Sequence, residues 1–106
     1  MKQHYISEFC PPLRLRITCT KEYWDHINKK HSEIKGEDEL VRRSIRHPLE
    51  IRESKKAKSV NLIYNLGEKR YICIVVKILR ARGFIVTCYL TDKIKGGKVV
   101  WQKVES

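Results

Sequence analysis

Residues 70–92, "RYICIVVKILRARGFIVTCYLTD", constrain the fold more than any other part of the chain. Two runs rich in Ile, Val and aromatic residues are separated by Arg82-Gly83. Such residues favour the pleated, half-buried surface of a strand, and a glycine interruption between two runs predicts a hairpin. In the first run Ile72, Ile74, Val76 and Ile78 share one face, and Tyr71, Cys73, Val75 and Lys77 share the other. In the second, Phe84, Val86, Cys88 and Leu90 oppose Ile85, Thr87, Tyr89 and Thr91. Packing the two apolar sets together leaves Lys77, Thr87, Tyr89 and Thr91 side by side on a free face. A register slip of one residue would scatter them.

The flanking pattern extends this hairpin into a domain. Residues 1–12 read as an irregular arm ending at Pro11-Pro12. "LRLRIT", residues 13–18, alternates apolar residues with Arg as a strand with one wet face does. Thr20 is a helix cap and Glu22 suits the first turn, so a helix is predicted from Lys21 to about Ile34, ended by Gly36. "GEDELVRRSIRHP" predicts a second helix, acidic at its start, basic at its end and stopped by Pro48. "LEIRES", "KSVNLIYNL" and "KVVWQKV" predict further short strands around the hairpin. Helices grouped apart from sequential strands predict a single α+β domain over residues 1–106. It should have an antiparallel sheet of about four to five strands with two helices packed on one face.

Size and charge narrow the function. A chain of 106 residues is long enough for one core, burying roughly two-thirds of its unfolded surface. With 23 Lys and Arg against 12 Asp and Glu, the net charge is +11. That excess fits a polyanion, of which nucleic acid is the commonest, or an acidic protein partner, or simply a positive surface. Cys10, Cys19, Cys73 and Cys88 form no Cys-x-x-Cys pair, which argues against a zinc knuckle or a thioredoxin-like site. No signal-like segment opens the sequence, and "YICIVV" is far too short to span a bilayer. A reducing, cytoplasmic setting without membrane attachment is the expectation.

Two of the four histidines stand in "YWDHINKKHSEI", residues 23–34. On one continuous helix His26 and His31 would point about 140° apart. They could face one cleft only if the helix ended or bent between them. Trp24, Ile27, His31 and Ile34 form an apolar stripe, so His31 also suits a partly buried structural role, while His26 lies off the stripe. A spacing of five is poor for a shared metal, and no Cys, Asp or Glu set completes a site, so no metal or cofactor is expected. Imidazole, with an ordinary pKa of about 6.5, exchanges protons near neutrality. There is no glycine-rich phosphate loop or nucleophile elbow. Histidines, cations and hydroxyls without site carboxylates suit metal-free RNA cleavage. The 2′-hydroxyl attacks the adjacent phosphate, a base and an acid move protons, and cations hold the phosphorane. Lys77, Thr87, Tyr89 and Thr91 would serve such a face, although Thr and Tyr are also ordinary strand formers. Tyr5, Tyr64, Tyr71 and Tyr89 are candidates for stacking bases.

The order of "WDHINKKHSE", "IRHPLEIRES", "VNLIYN", "YICIVVK" and "FIVTCYLTDKIKGGKVVW" resembles the barnase–EndoU–colicin–RelE group of ribonucleases. The closest likeness is to its small phage- and bacteria-borne branch, over about residues 13–101. Pro48, Ile51 and Ser54 match a Pro-x-x-Ile-x-x-Ser segment, and Thr87 and Tyr89 match a Thr-Ala-Tyr strand. Ser32 stands where that branch has Pro, and Cys88 where it has Ala. The resemblance implies a metal-independent endoribonuclease, often a toxin held by a cognate antitoxin. It implies His26 and His31 as the histidine pair, Arg52 and Ser54 as phosphate ligands, and Thr87 and Tyr89 in the cleft. The partners implied are RNA, tRNA or mRNA, and an acidic antitoxin or inhibitor protein. Competing expectations are a non-catalytic RNA- or DNA-binding module and a basic interaction protein for an acidic partner.

Overall fold

The predicted hairpin is the centre of the fold, but it turns at Arg80-Ala81, with Arg80 at φ 58°, and Arg82 and Gly83 belong to its second strand. The computed structural model describes residues 3–104 and has seven strands. These are β1 (His4–Cys10), β2 (Leu15–Thr20), β3 (Glu50–Glu53), β4 (Val60–Leu66), β5 (Tyr71–Leu79), β6 (Arg82–Thr91) and β7 (Val99–Gln102). Between β2 and β3 come helix α1 (Lys21–Lys30), a 3₁₀ turn (Ser32–Ile34) and helix α2 (Asp38–Arg46). The strands form one sheet in the order β1-β2-β6-β5-β4-β3-β7. All neighbours are antiparallel except β2 and β6, which are parallel. The α+β class and the two helices are as expected. The sheet is larger than four to five strands, and it is mixed.

The core lies between one sheet face and the helices. Ile72, Ile74 and Val76 are fully buried, and they cluster with Trp24 and Ile27 of α1 and Val41 and Ile45 of α2. Ile78 packs at the edge of the same cluster. Thr20 caps α1 by accepting the Tyr23 amide at 3.2 Å. Lys29 and Lys30 complement the helix dipole at its other end.

Three expectations are corrected. Residues 4–10 are not part of an irregular arm; residues 1 and 2 of that expected arm lie outside the described residues. Ile6 and Cys10 are fully buried, and Glu8 between them pairs with Arg46 of α2 at 2.9 Å. The hairpin into β2 is closed where the Arg14 amide donates to the Cys10 carbonyl at 2.9 Å, with Arg14 at φ 55°. A charge in the middle of the inward face hid this strand's alternation.

Helix α1, the second correction, stops at Lys30 rather than near Ile34. His31 leaves helical geometry at φ −127°, ψ 74°, and the 3₁₀ turn then carries Ile34 into the core. The third concerns β6. Val75 pairs with Thr87 but Val76 pairs with Ile85, so a bulge falls at Val86. It inverts the side-chain parity of the strand. Cys88 faces the core, as expected, but so does Ile85, whereas Phe84 and Val86 turn outward.

Candidate functional site

The register carries seven of the nine expected site residues to the sheet face away from the helices. Directly paired residues share a face, so rows can be followed across β3, β4, β5 and β6. One row is Arg52, Leu62, Val75, Thr87, and the next is Glu50, Tyr64, Cys73, Tyr89. Tyr71 and Thr91 lie beyond, and Val60, Lys77 and Phe84 lie on the other side. Ser54 extends the last row, since its amide donates to the Val60 carbonyl at 2.9 Å.

The connection from β6 to β7 divides this face. The Lys95 carbonyl accepts the Tyr64 hydroxyl at 2.6 Å, and the Lys95 amide donates back to it at 3.2 Å. The Gly97 amide donates to the Glu53 carbonyl at 2.9 Å, and Gly96 lies against Leu62 and Arg52. This strap covers β3 and β4. Tyr64 beneath it is 1% exposed, and burial pushes its phenol up to about 12. Its ring is therefore not available to stack a base. Arg52 Nε holds Glu50 Oε2 at 2.5 Å, and Gln102 donates to the other carboxylate oxygen at 3.1 Å. Arg52 thus has an internal partner, and it stands three strands, about 14 Å, from Thr87. Ser54 and Thr91 are engaged in local turns, with the Lys56 and Lys93 amides respectively.

The uncovered half is built on β5 and β6, and the two histidines border it. Tyr23 of α1 donates its hydroxyl to the Val86 carbonyl at the bulge, 2.8 Å away. The exposed His26 ring lies beside Tyr23, with centroids 5.9 Å apart. Because the helix ends before His31, that ring is free of helical phase and reaches Tyr89, also at 5.9 Å. Its Nδ1 is 3.6 Å from Glu33 Oε2. Thr87 lies in the strand between the two contact points. The structure therefore brings His31, Thr87 and Tyr89 to one stretch of β6, with Lys77 on the adjoining strand and His26 beside the Tyr23 that anchors α1 to β6. Arg52, Ser54 and Tyr64 belong to the other half.

Cys73 underlies this arrangement. It is fully buried between Tyr64 and Tyr89 in its row. Burial raises its thiol, and hydrogen bonding to the Tyr89 and Tyr64 phenols opposes that rise. Burial likewise raises the Tyr89 phenol. Tyr89 is thus a neutral donor and acceptor at physiological pH rather than a base. Among the described residues no group of three or more His, Cys, Asp or Glu side chains converges as metal ligands would.

Tyr23 and Phe84 also belong to this face and were not legible as such in the sequence. Tyr23 anchors α1 to β6, and its tyrosine beside a helix cap was the available signal. Phe84 turns outward only through the bulge, which nothing in the local pattern marks. No helix among the described residues is long and apolar enough to cross a membrane. No protein-family model, curated protein or solved structure matches this chain.

Proposed function

We propose that this chain is an endoribonuclease that cleaves RNA by 2′-hydroxyl attack, with His26 and His31 sharing the base and acid roles. One observation supports this most. His31 stands against β6 at Tyr89, and His26 stands beside Tyr23, whose hydroxyl meets β6 at Val86, with Thr87 between those two points of the strand. Three residues of strand separate those points, about 10 Å. One imidazole takes the 2′-proton while the other returns a proton to the departing 5′-oxygen. Thr87 and Tyr89 donate hydrogen bonds to phosphate oxygens, and Lys77 balances the growing charge. The resemblance to the barnase–EndoU–colicin–RelE group, and with it the role of a toxin restrained by an acidic antitoxin, belongs to the same proposal. The net charge of +11 suits either polyanion.

The test is cleavage of RNA by purified protein in excess chelator. Wild type should leave a 2′,3′-cyclic phosphate or 3′-phosphate end. His26→Ala should lose about 10²–10⁴ in rate and keep its fold, since His26 is exposed. Equal rates for both proteins would remove His26 from the chemistry. Tight RNA binding without cleavage would favour the binding-module reading.

A further inference from the structure

We propose that the cleft between β2, the start of α1 and the bulge of β6 binds one nucleobase of the RNA together with its adjoining phosphate. This names a subsite for the ribonuclease reading and rests on it. The cleft encloses about 330 Å³ and is lined by Thr18, Thr20, Tyr23, Lys77, Phe84 and Val86. That volume is at the lower end of ligand pockets, which run from about 300 to 1,000 Å³. It admits a single ring system and little more.

The walls match a base in three respects. Phe84 and Tyr23 are 38% and 41% exposed, whereas Trp24 and Tyr64 are both 1% exposed. Tyr23 has already given its hydroxyl to the Val86 carbonyl, so what it offers is an immobilised ring. Rigid aromatic faces of this kind are what unpaired bases stack upon. Thr18 is 9% exposed and borders the cleft, and its hydroxyl has no hydrogen-bond partner among the described residues. That hydroxyl is open to the cleft, and a base edge supplies both donors and acceptors for it.

The mouth matches the phosphate. Lys77 is exposed and has no carboxylate partner among the described residues. On the same face Arg82 neighbours Arg16 across the parallel β2–β6 seam, and no acidic residue lines the cleft. The His26 ring lies 5.9 Å from that of Tyr23 and does not itself line the cleft.

The experiment titrates the full-length protein with the four nucleoside monophosphates, ribose 5-phosphate and inorganic phosphate, following backbone amide shifts by NMR. At least one nucleoside monophosphate should bind, with shifts concentrated at Thr18, Phe84 and Val86, and at least tenfold more tightly than ribose 5-phosphate or phosphate. Phe84→Ala should weaken that binding about tenfold, the usual order for losing one stacking platform. Lys77→Ala should weaken it and reduce its salt dependence. Equal binding of phosphate and nucleotides, or shifts confined to other surfaces, would overturn the proposal. The two readings fail separately. Nucleotide binding here without RNA cleavage would sink the ribonuclease and leave the pocket. RNA cleavage unaffected by Phe84→Ala, with no nucleotide binding, would sink the pocket and leave the ribonuclease.

Discussion

His31 shows how one residue's backbone decides a site. At φ −127° and ψ 74° it is released from the helical phase that would have turned it away from His26. Thr87, by contrast, is placed by strand pairing alone. It is half-buried, with no side-chain hydrogen bond among the described residues. Thr87→Val should therefore slow RNA cleavage markedly while shifting stability by no more than about 0.5 kcal/mol in urea titration. Tyr64 is the opposite kind of residue. Its phenol is raised from 10.0 to about 12 by burial. The stability this neutral phenol contributes is complete below pH 10 and is lost as pH climbs from 10 through 12. Unfolding free energy measured from pH 8 to 11 should fall above pH 10, and Tyr64→Phe should flatten that fall. The same substitution should cost about 1 kcal/mol at pH 8 through its lost hydrogen bonds to Lys95.

At the scale of elements, regular alternation was legible and interruptions to it were not. The inward face of β5 and the capped start of α1 follow directly from period-2 and 3.6-residue patterns. β1 was lost because Glu8 occupies its inward face, and only the tertiary partner Arg46 makes that charge tolerable. The parity of β6 was lost below Thr87 because a bulge is a property of the pairing, not of one strand. As a result Lys77, Thr87, Tyr89 and Thr91 do share a face, but Phe84 joins them and Ile85 leaves. The strap over β3 and β4 was equally hidden, since a loop's path depends on what receives it. Gly96 there has φ +123°, and a Cβ would come within 2.8 Å of the Leu62 side chain. Gly96→Ala should destabilise the fold by about 1–3 kcal/mol. It should also speed amide exchange at Lys95 and Gly97 while sparing the β5–β6 hairpin.

For the whole molecule, charge and topology set the behaviour. With a net charge of +11, binding to single-stranded RNA should weaken steeply with salt. Three to five phosphate contacts would give a log–log slope of about −2 to −3.5, read by fluorescence anisotropy. A flat salt response would point to a positive surface without a polyanion partner. The parallel seam has a different consequence. Arg16 meets Arg82 and Thr18 meets Phe84, so β2 finds its neighbour only after everything between them exists. During synthesis, at about 5–20 residues per second, β2 must wait roughly 3–13 seconds before its partner strand is even made. Until then the first hairpin and α1 cannot seal the core, the histidines have no β6 to face, and the nascent chain is without its cleft. Any activity that depends on this cleft has to wait for β6.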